Sequence, residues 1–272
     1  MTKTRPDAIS LNDIFDECRP AAIAVSGGVD SMTLAFVAHR AMGQDVTMFH
    51  AVSPAVPPSA TERVRVYAER EGWQLRVLNA GEFEDENYLS NPANRCFFCK
   101  SNLYGSLSCV TDAQLFSGTN LDDLDDWRPG LQAAENNNVR HPFVEAGLTK
   151  NDVRALARAY NLTDLAELPA SPCLSSRVET GLRIDAESLR SIDRTETLLR
   201  ETLAPQTVRC RIRDEGIVIE LDQPCLERLD DQKRESLSIK IRRFFSHSPD
   251  SKILFTAYRR GSAFLRGTMN EG

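Results

Sequence analysis

The chain has 272 residues, of which 41% are hydrophobic and 26% charged, with a formal net charge of −6. This is the make-up of a soluble globular protein with room for two domains of ordinary size. Its longest apolar runs, AAIAV (21–25) and LAFVA (34–38), are far too short to cross a bilayer, so no membrane partner is expected.

In chain order, AAIAV reads as a short buried strand that passes through SGGVDS into a helical SMTLAFVAHRA (31–41). DVTMFHAV (45–52) is the next strand. A helix then starts at Ser59, with Ser59 and Glu62 spaced as a capping box. WQLRVLNA (73–80) is a third strand and leads through the acidic GEFEDENY into NPANRCFFCKSNLY (91–104). AQLFSG (113–118) is a fourth strand, ending in the loop TNLDDLDDWRPG, and a capped helix begins at Thr149. Strands alternating with helices predict an α/β domain with a parallel sheet over residues 1–170.

Past the loop AELPASPCLSSRVETG, a helix is expected from about Asp185 to Thr202. The strands TVRCRIR and IVIELD follow with DEG as their turn, then a helix over roughly Cys225 to Phe245 and a strand KILFTAY. Residues 171–272 thus read as a smaller α+β domain.

Charge is divided unevenly between these parts. Residues 1–170 carry 15 Lys/Arg against 23 Asp/Glu, and residues 171–272 carry 18 against 16. An acidic first domain argues against a broad nucleic-acid surface, which needs many cations to neutralise phosphates. The compact clusters RCRIR and YRR suit a small anion better; for any single arginine the plain alternative is a solvated strand or helix end.

SGGVDS follows an apolar strand and opens a helix, where backbone N–H groups and the helix dipole favour an anion. Gly27 and Gly28 let the backbone approach a phosphate, Ser26 and Ser31 add hydroxyls, and Asp30 makes sense as a ligand for Mg²⁺ on pyrophosphate oxygens. Neither a Walker loop nor a dinucleotide fingerprint is present.

Seven cysteines in a chain whose start, MTKTRPDAISLNDIFDE, shows no apolar signal segment are not expected to form a disulfide framework; a cytoplasmic location is expected. Cys96 and Cys99 form a CxxC, which can be a redox dithiol, half of a zinc site, part of an iron–sulfur site, or two buried thiols. Cys18, Cys109, Cys210 and Cys225 lack comparable context and read as structural. His39, His50, His141 and His247 show no metal spacing.

SGGVDS resembles the loop of the PP-loop ATP pyrophosphatases, which split ATP between the α and β phosphates and adenylate a carboxylate or carbonyl oxygen. RCFFCK, SGTNLDDLDDWRPGLQAAENN, RHPFVEAGLTKNDVRALAR, PASPCLSSRVETG, VRCRIRDEG and the terminal GTMN together resemble the LarE family, in order and nearly end to end. These are sulfur transferases that build the thiocarboxylates of the nickel-pincer nucleotide of lactate racemase.

The resemblance implies the PP-loop fold, ATP and Mg²⁺ as cofactors, a pyridinium carboxylate mononucleotide as substrate, and a homo-oligomer. It implies that sulfur is delivered at Cys173. One version of the family destroys that cysteine; another holds a [4Fe–4S] cluster on three cysteines, matched here by Cys96, Cys99 and Cys173. The free iron of such a cluster can bind sulfide from an external donor. Zinc would also accept three thiolates and a water.

Arg209 and Arg211 fall on one face of their strand and are candidates for the substrate phosphate, joined by Arg259 or Arg260. Glu196 stands near the position of a family acidic residue thought to act beside the reactive cysteine, or is a plain surface glutamate. Asp122 and Asp123 suit a metal or ribose contact as well as a capped loop. Two rival functions carry weight. A tRNA thiolase of the same superfamily is disfavoured by the acidic first domain. A nucleotide-binding iron–sulfur or zinc sensor would not need the arginine pair after Cys173.

Overall fold

The computed structural model describes residues 10–124, 129–170, 172–246, 248 and 250–259. Arg260, His247, the terminal GTMN and residues 125–128 of the long loop lie outside them.

The first elements are α1 (Leu11–Glu17), β1 (Ala21–Ala24), α2 (Val29–Met42), β2 (Val46–Ala51), α3 (Pro58–Glu71) and β3 (Gln74–Leu78). Next come α4 (Glu86–Leu89), α5 (Arg95–Ser108), β4 (Gln114–Phe116), α6 (Pro129–Asn136), α7 (Pro142–Glu145), α8 (Lys150–Ala159) and α9 (Thr163–Ala166). The remainder is α10 (Ala186–Leu203), β5 (Val208–Arg213), β6 (Gly216–Leu221), α11 (Gln223–Glu227), α12 (Asp231–Arg242) and β7 (Ile253–Ala257). None of the helices among the described residues is long and apolar enough to cross a membrane.

The chain forms two compact units, Met1–Asp85 with Asn94–Ser171, and Glu86–Ala93 with Pro172–Gly272. The second takes its short extra segment, including α4, from the middle of the first stretch of sequence.

In the first unit four parallel strands run in the order β3-β2-β1-β4. Alternate residues of a strand face opposite sides, and both sides of this sheet are covered. Ala21 and Ile23 of β1 join Ile14 and Phe15 of α1, Met32 and Leu34 of α2, Val64 of α3 and Val153 of α8 in one core. Ala22 of β1, with Phe49 and Leu115, packs against Tyr104 and Leu107 of α5 and Ala133 of α6 in another. The unit is an α/β sheet with helices on both faces.

One local expectation fails here. α3 begins at Pro58 rather than after Ser59; Pro57 stands at its N-cap and no side chain caps it. Proline's fixed φ suits the first helical turn, where its missing N–H is no loss, so Pro58 starts the helix before the Ser59–Glu62 spacing can act. The CxxC segment is helical: Cys96 and Cys99 lie in the first half of α5. The Thr149 cap is present, with the Asp152 amide donating to Thr149 Oγ1 and the Asp152 carboxylate reaching back to the Thr149 amide.

The second unit carries a mixed sheet ordered β5-β6-β7, antiparallel between β5 and β6 and parallel between β6 and β7. α10 starts at its Asp185 cap, which accepts from the Ser188 amide at 2.8 Å. The helix expected over 225–245 is two helices. Asp230 caps α12 by accepting from the Lys233 amide, and a helix cannot run through its own N-cap.

Candidate active site

In an open parallel sheet, ligands bind beyond the carboxyl ends of the strands where the strand order reverses. Here that point lies between β1 and β4, because β2 and β3 were added on one side of β1 and β4 on the other. The segment Ser26–Ser31 leaves β1 at this crevice, and Ser117–Asn120 leaves β4 beside it.

The glycine loop is held tightly from both sides. Gly27 has φ +80, and a methyl on it would come 2.7 Å from the Ala60 carbonyl oxygen at the start of α3. Arg63 Nη1 donates to the Gly27 carbonyl at 2.7 Å. On the other side, a methyl on Gly118 would fall 2.6 Å from the Ser31 amide nitrogen. Only glycine fits at either place. Ser31 Oγ accepts from the Ser26 amide at 3.0 Å and lies 3.0 Å from Ser26 Oγ. No side chain caps the N-terminus of α2. The Gly28 amide donates to Ser26 Oγ at 3.4 Å, and the first-turn amides that follow it can face an anion.

His50 braces this corner. Its ring is buried, with Nδ1 2.8 Å from the Val25 carbonyl oxygen and Nε2 2.9 Å from Thr61 Oγ1. Burial lowers its pKa, against the opposing pull of the Val25 carbonyl. A cavity of about 570 Å³ opens nearby, lined by Val52, Ser53, Pro58, Thr61, Glu62 and Arg65.

Asp30 sits in the first turn of α2. Its carboxylate accepts from Asn120 Nδ2 at 3.3 Å and forms an ion pair with Lys150 Nζ. Lys150 was not singled out by the sequence: it is the first residue of α8, and nothing local signals its meeting with a residue 120 positions earlier. Asp122 and Asp123 serve as caps. Asp122 Oδ2 accepts from the Lys150 amide at 3.1 Å, and Asp123 Oδ2 accepts from the Asn120 amide at 3.1 Å.

His141 lies at the same strand end. Its Nδ1 is 2.8 Å from Ser117 Oγ, and that oxygen is 2.9 Å from Thr119 Oγ1. Burial lowers the pKa of His141, and the charge of Lys100 on α5 lowers it further, against Glu145 and Asp123. Cys96 is exposed and Cys99 half-buried, one turn apart on the same side of α5.

In the second unit Cys173 is exposed and stands just before a short 3₁₀ turn, Leu174–Arg177. Arg177 is buried and paired through Nε and Nη2 with the buried Glu196, at 3.0 and 3.2 Å. Arg211 is also buried; its Nε donates to Glu220 Oε2 at 2.8 Å and its Nη1 to the Ser176 carbonyl at 3.1 Å. Arg209 is half-buried, donates to the Val208 carbonyl, and has its guanidinium carbon 5.9 Å from the Tyr258 ring centre. Burial lowers the Arg209 pKa and the charge of Arg177 lowers it further. Arg259 is exposed. Cys210 and Cys225 are buried, and burial pushes the Cys210 thiol well up, with Glu196 adding to the rise. Among the described residues, no group of three or more His, Cys, Asp or Glu side chains within either unit has the spacing to hold a metal ion.

A parallel sheet that presents a glycine loop and an uncapped helix N-terminus at its switch point defines an α/β protein of the PP-loop kind. No family model matches the chain. It is 38% identical over 216 residues to the uncharacterized protein slr1717 of Synechocystis, covering 78% of this chain and 80% of that one. It is 29% identical over 206 residues to the pyridinium-3,5-bisthiocarboxylic acid mononucleotide synthase of Lactiplantibacillus plantarum, covering 74% of each. A weaker likeness, 28% over 160 residues, reaches a subunit of the glutamine-hydrolysing GMP synthase of Methanopyrus kandleri, with 54% of this chain and 51% of that one covered. The chain belongs to one family with slr1717, and the synthase supports reading that family as the LarE branch of the PP-loop proteins.

Proposed function

We propose that the protein is an ATP-dependent sulfur transferase that adenylates a carboxylate of a pyridinium carboxylate mononucleotide and converts it to a thiocarboxylate. The observation that carries this reading is the glycine loop at the β1–β4 switch point, with Asp30 and Lys150 at its rim, in a chain of this family.

ATP lies with its β and γ phosphates on the amides of Gly28 to Ser31 and the hydroxyls of Ser26 and Ser31. Asp30 is the residue that would hold Mg²⁺, a hard cation that takes carboxylate oxygen and neutralises charge on the pyrophosphate. Lys150 then exchanges its contact with Asp30 for a phosphate oxygen. The substrate carboxylate attacks the α phosphorus, pyrophosphate departs, and an acyl adenylate remains. Attack of sulfur on the acyl carbon expels AMP and leaves the thiocarboxylate. Cys173 brings sulfur to this carbon, and Arg209 with Arg259 favours the substrate phosphate. Arg211, expected in that role, has Glu220 as its partner.

Cys96, Cys99 and Cys173 are the residues that would hold a [4Fe–4S] cluster. Each is at least partly solvent-accessible, and two share one side of a helix, which suits soft thiolate ligation. Bound there, the group supplies one iron without a protein ligand, at which sulfide can exchange. The same reaction with Cys173 as the consumed sulfur donor is the second reading, supported by the exposure of that thiol alone. The two units take the roles of ATP pyrophosphatase and of substrate and sulfur-transfer domain. The reading includes a homo-oligomer, as the family resemblance implies, and a cytoplasmic location, as expected from the sequence.

The test is release of pyrophosphate from ATP in the presence of a carboxylated pyridinium mononucleotide, with mass analysis of the product. Pyrophosphate and a mass gain from exchange of oxygen for sulfur are expected, and both are lost in Asp30→Ala. A sensor would release no pyrophosphate. Tight retention of tRNA with no reaction on the mononucleotide would move the assignment to a tRNA thiolase.

A further inference from the structure

Glu196 lies in the middle of α10 and is 1% exposed. Its Oε1 accepts from Arg177 Nε at 3.0 Å and from the Cys210 amide at 3.1 Å. Its Oε2 accepts from Arg177 Nη2 at 3.2 Å and from Arg200 Nη2 at 2.6 Å. An ionised carboxylate offers about four lone-pair sites, and these four donors fill them. A carboxylate so occupied has no oxygen left for a substrate or for a proton in transfer.

The bonds from Glu196 continue toward Cys173. The Nη1 of Arg177 donates to the Pro172 carbonyl at 2.6 Å, the Cys173 carbonyl at 3.1 Å and Ser176 Oγ at 3.1 Å. Arg211 repeats the pattern one turn on, with Glu220 on one side and the Ser176 carbonyl on the other. Tyr88 Oη, 2.6 Å from Ser175 Oγ, adds a third fastening. Each guanidinium is buried, and each is neutralised by a buried carboxylate. Removing a carboxylate would leave an uncompensated charge in place.

We propose that Glu196 and Glu220 are positioning residues which, through Arg177 and Arg211, turn the carbonyls of Pro172, Cys173 and Ser176 inward and so fix the backbone of Cys173 with its side chain exposed. Glu196 acts on Cys173 through Arg177, not as an acid or base. The clamp itself stands on geometry. Its meaning, presentation of a sulfur-bearing side chain at a fixed place, rests on the sulfur-transfer reading above.

The experiment is amide hydrogen exchange of the full-length protein across residues 173–179, in the wild type, Glu196→Gln, Arg177→Lys and Ile192→Val. The last shaves a methyl group from the same helix and core without touching the clamp. The amides of Ser176 and Val178 donate to the Cys173 and Ser175 carbonyls. In Glu196→Gln and Arg177→Lys they are expected to exchange about tenfold faster, with the wild-type rate kept in Ile192→Val.

Thiocarboxylate formation is measured on the same proteins. A fall of about tenfold in kcat with KM for ATP unchanged is expected in the two clamp variants. Unchanged exchange in both, or an equal rise in Ile192→Val, overturns the proposal; if Glu196→Gln does not fold, Arg177→Lys decides alone. If the wild type makes no thiocarboxylate, the sulfur-transfer reading fails while the exchange rates still judge the clamp.

Discussion

Gly118, at the end of β4, lies so close to Ser31 that a single methyl group on it would stand 2.6 Å from the Ser31 amide nitrogen and 2.8 Å from the Asp30 carbonyl carbon. Both of those atoms are backbone in the first turn of α2, the turn proposed above to hold phosphate, whose N-terminus no side chain caps. The two loops at the switch point touch with no side chain between them.

Gly118→Ala must therefore push the loops apart by several tenths of an ångström. The expected outcome is overpacking that costs about 1–3 kcal/mol, together with weakened ATP binding, because the amides that move are those proposed to hold phosphate. Chemical denaturation and ATP titration of the variant check this. A variant with normal affinity and stability would show that the loops separate freely.

Lys150 is the cation that Asp30 faces across the crevice. Lys150→Met keeps the length of the side chain and removes its charge. Pyrophosphate affinity is expected to fall about tenfold, since one charge-assisted contact to phosphate is worth about 1.5–3 kcal/mol. Fold stability should change little, because the pair is half-exposed and such pairs contribute about 0–1 kcal/mol. Isothermal titration with pyrophosphate and a thermal melt separate the two effects.

Acid should act on the first unit through His50. Its folded pKa lies below the ordinary 6.5 because the ring is buried, so the unfolded chain takes up its proton first. The stability it supports is whole above pH 6.5 and is lost as pH falls. His141 is shifted the same way and shares the effect. The melting temperature of the first unit is expected to decline from neutral pH downward, and His50→Asn should start lower and decline less steeply. Melts over a pH series provide the check.

Glu196 gives the second unit a different window. Burial alone would raise its pKa, but the charge and hydrogen bonds of Arg177, the Cys210 amide and Arg200 together hold it below the ordinary 4.5. A depressed carboxylate contributes stability above its unfolded pKa and loses it as pH falls through the folded value. Loss of the second unit's exchange protection is thus expected only below about pH 4.5. Glu196→Gln, which breaks a buried pair, should cost about 3–5 kcal/mol at neutral pH. Exchange protection of α10 and β5 at pH 7 and pH 4 measures both.

The cluster carries its own prediction. Protein purified without oxygen is expected to hold about four irons with matching acid-labile sulfide and a broad visible absorption, all lost in Cys96→Ala. Colourless, iron-free protein after reconstitution would turn attention to dehydroalanine at Cys173 after one turnover.

Much of this was legible along the chain. The alternation of apolar strands and amphipathic helices announced an α/β unit, and SGGVDS falls at a strand–helix junction as its sequence predicts, because periodicity and capping are contacts between residues a few places apart. The Thr149 cap is of this kind and is present. The Ser59 cap is not, since prolines at 57 and 58 set the start of α3 first. Glu196 stood out by its place in the chain, and its burial among four donors was invisible there.

What the sequence determined by itself is local: where the main strands and helices fall, and which strand–helix loop carries the paired glycines. What only the tertiary structure decided is which distant residues meet. Strand order sets β4 beside β1, and with it Gly118 against Ser31 and Lys150 against Asp30. Folding of the second unit buries Arg177 and Arg211 with their glutamates behind Cys173. Those pairings join residues up to 120 positions apart. They arise because a buried charge must find a partner once the chain has packed, and no local pattern says which partner that will be.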